Sequence, residues 1–466
     1  MNEAFLRGPV TPQLVRLAWP ILVVLAVQTI VSVAETYFVG FLGTHAIAGV
    51  ALVFPLLMLM TMMSNGGIGG GVASAIARAI GAGRKRDADL LAGHAVIIAI
   101  VLGGIFTAAA LLGGPALFRA MGGDDESLAS ALRYSNLVFG AAIPIWVANL
   151  LASALRGAGN VRVPAILTAA GAVLTLAISP PLILGWGPVP RFGVAGAGYA
   201  MIAYYVMATI AFVVFLLSKD SPIRLSFARI EWRLFKEILG VGLLSAVGTV
   251  LANATVVLLT GLVGLFGANA IAGYGMAARL DYLLIPLLFA LGTASVTMVG
   301  TNVGAGHFAR ARRIAWTAAF LSAAVTGLIG LVAALAPEAW MRLFSQDAEV
   351  IAAGAGYLRR AAPFYGLYGV GMAFYFASQG AGNVRWPVIA GVLRLLVATG
   401  GGWYWVVVLK GSLEGLYWFA AASLAVFGIV NAVAFATGLS WGRRPAQSHQ
   451  RRTGAAKSFV PAPRPQ

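Results

Sequence analysis

The chain has no cysteine, little histidine and little charge. Its 466 residues include four His and 15 acidic residues, and Asp, Glu, Lys and Arg together make up 10% of the sequence. The missing cysteines exclude disulfide bonds, zinc–thiolate sites and cysteine nucleophiles. A soluble domain carries about 25% charged residues. The low charge and the 60% hydrophobic content therefore indicate a membrane protein.

The hydrophobic residues are arranged in long runs. A membrane-spanning helix needs about 20 mostly apolar residues, because the hydrocarbon core is about 30 Å thick. We therefore predict an all-α polytopic membrane protein with twelve transmembrane helices. The predicted spans are 17–40, 46–80, 90–118, 128–155, 163–184, 194–217, 238–266, 270–303, 314–335, 350–378, 387–409 and 415–439. The second and eighth are long enough to bend, and the first is too long for a removable signal peptide.

Basic residues follow every second predicted span. Short cytoplasmic loops are enriched in Lys and Arg, and here such residues flank the turn after the fourth span (Arg156 and Arg162) and fill the tail after Trp441. The alternate loops carry few basic residues. We predict a multi-pass protein of the inner (cytoplasmic) membrane with both termini in the cytoplasm. This topology explains the net charge of +17 without a nucleic-acid partner.

The two halves of the chain repeat one another. Residues 156–164 (RGAGNVRVP) recur at 379–387 (QGAGNVRWP), and 39–49 (VGFLGTHAIAG) recur at 263–273 (VGLFGANAIAG). The short motif 81–83 (GAG) recurs at 304–306. All three blocks are offset by 223 or 224 residues. The chain is therefore a tandem duplication of a six-helix unit.

A duplicated six-helix unit predicts two lobes with the same orientation. Because six is even, the lobes are related by a pseudo-twofold axis along the membrane normal, as in alternating-access transporters. We expect an N-terminal lobe (1–218), a cytoplasmic loop (219–237), a C-terminal lobe (238–440) and a disordered basic cytoplasmic tail (441–466). A channel or a scaffold is the alternative.

Glu35 and Asp281 are the acidic residues placed well inside apolar runs, one in each lobe. Charges inside a membrane are costly and often functional. Glu35 shares a helical face with Gln28 and Ser32. Its apolar neighbours leave the carboxyl group poorly hydrated, so it is our candidate for binding and releasing a proton. The alternative is a carboxylate held by an Arg or a hydroxyl that stabilises the lobe.

Asp281 and the polar stripes of the second lobe are candidates for binding a substrate or a cation. Asp281 shares a face with Tyr274, and an acid beside aromatic rings suits a cationic amphiphile. A local ion pair with Arg394 is the alternative. Further candidates, each of which could instead serve packing, are Tyr365, Tyr368, Tyr375 and Gln379 in one stripe, Asn253 in another, and the lone amide Asn149.

Motifs for nucleotide or metal chemistry are missing from the sequence. The phosphate-binding pattern G-x-x-x-x-G-K-[ST] does not occur, and neither does a Ser/His/Asp or metal-ligand spacing. We therefore expect no enzyme and no cofactor. An ion gradient, of protons or sodium, is left as the energy source.

Several of these segments resemble one transporter family. Residues 35–43 (ETYFVGFLG), 155–160 (LRGAGN) and 299–306 (VGTNVGAG) are similar to motifs of the multidrug and toxic compound extrusion (MATE) family. The resemblance implies a twelve-helix antiporter, working as a monomer among membrane lipids, that exports cationic or amphipathic drugs and toxic organic compounds in exchange for protons or sodium. Residues 279–281 (RLD) are similar to the pattern of its DinF-like branch.

The chain departs from the family pattern at its acidic residues. Glu35 stands where the family usually has Asp, the stretch 175–180 (TLAISP) lacks a common Asp, and 252–253 (AN) lacks a Glu of some members. Sodium prefers several oxygen ligands. The missing acidic residues therefore favour coupling to protons over coupling to sodium. By resemblance, the amino-lobe pocket is Gln28, Glu35 and Asn149. A lipid or lipid-linked oligosaccharide flippase of the same superfamily and a passive channel are the alternatives.

Overall fold

The computed structural model describes residues 2–123 and 125–441, and within these ranges every regular element is helical. The α-helices are α1 (Asn2–Arg7), α2 (Val10–Gly40), α3 (Thr44–Met62), α4 (Gly69–Gly81), α5 (Lys85–Ala120), α6 (Asp125–Gly140), α7 (Ala142–Gly157), α8 (Arg162–Leu184), α9 (Val194–Leu217), α10 (Trp232–Gly264), α11 (Ala268–Gly304), α12 (Phe308–Leu335), α13 (Pro337–Met341), α14 (Ala348–Ala361), α15 (Tyr365–Ala381), α16 (Arg385–Leu395) and α17 (Leu413–Ala436). Residues 442–466, almost all of the predicted tail, lie outside the described ranges.

The predicted spans correspond to helices or to pairs of helices. Ten helices are long and apolar enough to cross a membrane, and α6 with α7 forms an eleventh, bent span. The angle between α6 and α7 is 50°, so the predicted span 128–155 is broken rather than continuous. The remaining span, 350–378, consists of α14 and α15 joined by a 3-10 turn at Ala362–Phe364. The chain is an all-α, multi-pass membrane protein, as predicted.

The glycine run 66–71 lies where the second span changes its helical form. A π-helical turn at Met63–Ile68 joins α3 to α4, whereas α11, the corresponding span of the second half, is one continuous helix. A Cβ atom on Gly67 would lie 3.1 Å from the Cα atom of Ala246 in α10. Small residues thus let the second span approach α10 backbone to backbone.

The helices pack in the same pattern in both halves. In the first half α5 packs on α7 and α8 packs on α9, and in the second half α12 packs on α15 and α16 packs on α17. The core of the first lobe includes the buried side chains of Phe139 and Trp146. That of the second includes Tyr365 and Tyr417. The predicted division into two lobes of equivalent architecture is confirmed.

The two lobes meet in a symmetric contact at the repeated glycine motif. A Cβ atom on Gly81 would overlap the carbonyl of Thr301, and one on Gly304 would overlap the carbonyl of Arg78. Each glycine therefore touches the residue three positions before the other. Reciprocal contacts of this kind define a twofold interface. The pseudo-twofold axis thus passes between α4 and α11.

We call the zone around this contact the lobe seam; in it α4 and the π turn of the first lobe meet α10, α11 and α15 of the second. The hydroxyl of Ser74 donates to the carbonyl of Gln379 across the seam. The seam lies toward the basic end, which is the end of the bundle with the turns at 82–84, 158–161 and 305–307. Farther from it, Gln28 and Ser32 of α2 are exposed. The described contacts therefore join the lobes at the basic end.

The linker between the lobes is anchored on α5. Helix α10 begins at Trp232, inside the predicted loop 219–237. The backbone N–H of Glu231 donates to Nε2 of the buried His94 at 3.0 Å, while Nδ1 of His94 lies 2.8 Å from the carbonyl of Leu90. The linker is therefore held against the first lobe by its hydrogen bond to a buried histidine.

Candidate functional site

The acidic site of the first lobe is built around Glu35, five residues before the end of α2. Glu35 is half-buried and interacts electrostatically with Tyr134 of α6 and Tyr205 of α9, both of which are buried. Among the described residues, no Lys or Arg nitrogen lies within 4.0 Å of its carboxylate. Its recorded interactions are with tyrosines rather than with cations, so the carboxyl group can be ionised or protonated without breaking a described ion pair.

Gln28, two turns before Glu35 on α2, lies near another tyrosine of α9, Tyr204. The side chain of Tyr204, next to Tyr205, interacts with those of Gln28 and of Thr168 in α8. Ser32, between Gln28 and Glu35 on the same face, is exposed. Gln28 and Glu35, predicted to share a helical face with Ser32, thus interact with tyrosines of α6 and α9.

The third residue of the pocket implied by the family resemblance, Asn149, makes a different contact. It is 8% exposed, and its Nδ2 donates to the hydroxyl of Ser64 in the π turn at 2.8 Å. A buried amide with a partner of this kind fixes the position of two helices. In this structure Asn149 links α7 to the second span.

The acidic site of the second lobe holds Asp281 between two tyrosines. The hydroxyl of Tyr357 donates to Oδ2 at 2.6 Å, and that of Tyr365 donates to Oδ1. Tyr357 lies on α14 and Tyr365 on α15, so Asp281 of α11 links these two segments of one span. Both carboxylate oxygens already accept a hydrogen bond. The predicted binding of a substrate or cation by Asp281 therefore requires these tyrosines to move or to share the ligand.

Arg394 lies near Asp281 without forming an ion pair with it. The two charges attract one another, but no nitrogen–oxygen distance between them is within 4.0 Å. Instead the guanidinium carbon lies 4.9 Å from the ring centre of Tyr368 and 5.8 Å from that of Phe427. In this structure Asp281 and Arg394 therefore form no direct ion pair, and aromatic faces pack on the arginine instead.

Tyr274 belongs to the packing around Asp281. It is 4% exposed, and its ring meets that of Tyr357 edge-on at 5.1 Å and is nearly parallel to that of Tyr417 at 6.4 Å. Such contacts hold aromatic side chains in one orientation. Tyr274 thus positions Tyr357 for its hydrogen bond to Asp281.

We expect the Tyr357→Phe substitution to destabilise the second lobe by about 1–3 kcal/mol, because it leaves an oxygen of the partly buried Asp281 carboxylate without its donor. The quantity to measure is the free energy of unfolding in an SDS titration of the purified protein. Tyr274→Phe is the matched control, since it removes a hydroxyl from the same cluster but not from Asp281. Equal destabilisation by both substitutions would contradict the assignment.

The remaining predicted residues lie along the lobe seam or close to it. Gln379, 1% exposed, donates from Nε2 to the carbonyl of Gly66 at 3.0 Å and to the hydroxyl of Ser245 at 2.9 Å. The hydroxyl of Tyr375 is 3.5 Å from the carbonyl of Ser245. Nδ2 of Asn253 donates to the carbonyl of its own helix at Thr249 and lies 3.8 Å from the sulfur of Met62. In this structure Gln379 links the two lobes. Tyr375 contacts α10, and Asn253 of α10 contacts the second span.

Two tyrosines of the acidic sites were not predicted from the sequence, although they occupy equivalent positions in the repeat. Tyr134 and Tyr357 occupy equivalent positions, 223 residues apart, and each faces the acid of its own lobe. The acids themselves are not equivalent, because Glu35 lies in the first span of its lobe and Asp281 in the second. A search for polar residues shared by both repeats would have found this pair.

The comparisons with known proteins agree with this architecture. The MatE family model matches residues 20–180 and again 244–403, two matches whose starts are 224 residues apart. The chain belongs to the MATE family. The repeated match has the register of the duplication found in the sequence, and it covers more than half of the chain.

Individual MATE relatives align over most of their length. The chain is 27% identical over 395 residues to the "Probable multidrug resistance protein NorM" of Thermotoga maritima, covering 83% of each sequence. It is 25% identical to the "FAD transporter" of Shewanella oneidensis, covering 85% of this chain and 88% of that one. A solved structure described as the outward-facing conformation of a multidrug resistance MATE transporter superimposes with a TM-score of 0.84 at 26% identity, covering 94% of this chain and 97% of that one. This chain is therefore a MATE membrane transporter.

Proposed function

We propose that this MATE transporter exports cationic or amphipathic drugs and toxic organic compounds in exchange for protons, by alternating access. We place it in the cytoplasmic membrane, as a monomer with both termini in the cytoplasm. The names of its relatives support drug export, and the basic loops support the orientation. The observation that supports proton coupling is the environment of Glu35, which is half-buried near tyrosines and outside any described ion pair.

Protons suit the Glu35 site better than sodium. A sodium ion needs several oxygen ligands at once, and charge on those ligands helps to replace its water shell. The site offers one carboxyl group and neutral groups from Gln28, Tyr134, Tyr204 and Tyr205. A proton needs only the carboxyl group, and the neighbouring hydroxyls can hydrogen-bond to either of its forms.

The lobe seam supports alternating access. Its contacts pack the two lobes together at the basic end, and the cargo pathway in such a transporter runs between the lobes. Opening toward the cytoplasm then requires the seam to separate. This is the step that the reciprocal contact of Gly81 and Gly304 controls.

The test is dye efflux from proteoliposomes under one gradient at a time. We expect a pH gradient to drive transport of tetramethylrhodamine methyl ester, a cationic dye, and a sodium gradient at uniform pH to have little effect. Transport driven by sodium alone would contradict proton coupling. Equilibration of the dye without any gradient, at a rate that gradients do not change, would indicate a passive channel. Scrambling of a fluorescent lipid in place of dye transport would indicate a flippase.

A further inference from the structure

The short helix α1 precedes the first span and lies at the basic end of the bundle. It has six residues, and isolated helices shorter than about 12–15 residues are only marginally stable in water. The helical form of α1 therefore depends on its docking to the rest of the chain. The docking contacts come from both lobes.

The second lobe binds the backbone carbonyls of this segment. Nδ2 of Asn302, which is fully buried in α11, donates to the carbonyl of Phe5 at 3.1 Å, and Nε of Arg310 in α12 donates to the same oxygen at 3.1 Å. Nη2 of Arg310 also donates to the carbonyl of Gly8, the residue after α1. The last carbonyls of a helix lack partners within it and carry partial negative charge, so a guanidinium stabilises them.

The first lobe holds the same segment through the side chain of Phe5. The ring lies against the turn after α7, where a Cβ atom on Gly159 would come 2.6 Å from it. Phe5 is 8% exposed and belongs to one apolar cluster with Val161 of that turn and with residues of α11, α12 and α15. Helix α1 thus bridges the lobes, with its backbone held by one and its ring packed on the other.

The linker between the lobes contains the counterpart of this bridge in the repeat. Residues 5–8 correspond to 228–231 at the repeat offset of 223, and each stretch leads into the first span of a lobe. The first stretch is bound by α12 of the second lobe. The second is bound by α5 of the first lobe, where Nε2 of His94 accepts a hydrogen bond from the N–H of Glu231 at 3.0 Å. The two lobes therefore exchange these segments, as in a twofold arrangement.

Equivalent side chains anchor the two segments. Arg310 of α12 occupies the position of Asp87 in α5, 223 residues earlier. Asp87 pairs with Arg233 at the start of α10 through two nitrogen–oxygen contacts of 3.2 Å. One anchor is thus an ion pair between side chains, and the other is a guanidinium on two backbone carbonyls. Both anchors join parts of opposite lobes at the basic end.

We propose that α1 is a strap that holds the two lobes together at the basic end and stabilises the conformation that is closed there. The proposal rests on alternating access, in which the basic end must open, but not on proton coupling or on the nature of the cargo. Because α1 is not stable alone, its release and unfolding accompany opening. The helix forms again when the lobes close.

The test measures how fast a hydrophilic maleimide labels one introduced thiol in the full-length protein in nanodiscs, without any gradient. Thr297→Cys places the thiol in the seam, at a residue that is 1% exposed. Ser32→Cys places it on the exposed part of α2, far from the basic end. We expect Arg310→Gln to speed the labelling at 297 about tenfold, because hydrogen bonds from a charged group are lost. The labelling at 32 should not become faster.

Further variants separate the strap from its surroundings. Phe5→Ala releases the same strap from the first lobe, so it should also speed the labelling at 297. Arg310→Lys keeps the charge but loses the planar fork that binds two carbonyls, so its rate should lie between those of the parent chain and Arg310→Gln. The controls are Arg7→Gln and Arg312→Gln, which remove exposed arginines of α1 and α12 and should leave both rates unchanged.

Two outcomes would overturn the proposal. If the seam is labelled at the parent rate in either Arg310→Gln or Phe5→Ala, α1 does not hold the lobes together. If Arg310→Gln speeds the labelling at 32 and at 297 equally, the substitution loosens the whole fold rather than the basic end. Because labelling needs neither a gradient nor a dye, these outcomes are distinct from a failure of proton-driven dye efflux.

Discussion

The Glu35→Gln variant is expected to bind the cationic dye normally but to lose its pH-driven accumulation in proteoliposomes. A difference of one pH unit contributes about 1.4 kcal/mol for each proton exchanged, which corresponds to about a tenfold concentration gradient of the dye. Glutamine keeps the size and hydrogen-bonding capacity of the side chain but cannot take up a proton. The steady-state dye gradient should therefore fall by about tenfold for each pH unit applied.

The matched control for this prediction is Glu126→Gln, which removes a carboxylate that is 74% exposed near the start of α6. It should leave the dye gradient unchanged. Normal accumulation by Glu35→Gln, in protein that is expressed and binds dye, would contradict the coupling role. In that case Asp281, the other intramembrane acid, becomes the residue to substitute.

The second large effect is expected from Gly304→Leu at the lobe seam. A Cβ atom there overlaps the carbonyl of Arg78, and a backbone carbonyl cannot rotate away as a side chain can. Overpacking typically costs about 1–3 kcal/mol, which here acts against the conformation in which the basic end is closed. We expect that conformation to lose about tenfold in population, with a corresponding loss of transport.

Because the chain has no cysteine, one introduced thiol can report on the seam. Thr297→Cys is nearly isosteric, and Thr297 is 1% exposed in the seam. A membrane-impermeant maleimide added from the basic side should label it slowly in the parent background and faster with Gly304→Leu. Gly275→Leu is the control, because Gly275 lies on the same helix with open space around it. Equal labelling in both would contradict the role of the seam.

The architecture could be predicted from the sequence because its signals are long and repeated. Apolar runs of about 20 residues marked the spans, and the recurrence of the glycine motif 81–83 at 304–306 predicted the pseudo-twofold axis, which runs between these glycines in the folded chain. The break between α6 and α7 was missed. Hydropathy indicates that residues avoid water, but it contains no information about the direction of the helix axis and so cannot predict a bend.

The candidate site was predictable only in part, because a side chain's partners are set by packing between distant segments. The cost of charge in a membrane singled out Glu35 and Asp281, and both lie beside polar partners in the structure. Nothing along α11 indicates that two tyrosines from α14 and α15 donate to Asp281. Likewise, the sequence position of Arg156 near a turn does not show that its Nη2 donates to Asn65 of the π turn.

The reciprocal contact of Gly81 and Gly304 bears on the evolutionary origin of the two lobes. Each side of it is supplied by a copy of the same short sequence, as in a symmetric dimer of identical subunits. The contact does not use the linker anchored by His94, so two unlinked six-helix chains inserted in the same direction could have formed it. Tyr134 and Tyr357 occur in both copies, whereas Glu35 and Asp281 each occur in one. The tyrosines and glycines are thus common to the two lobes, and the acids are among the features that differ between them.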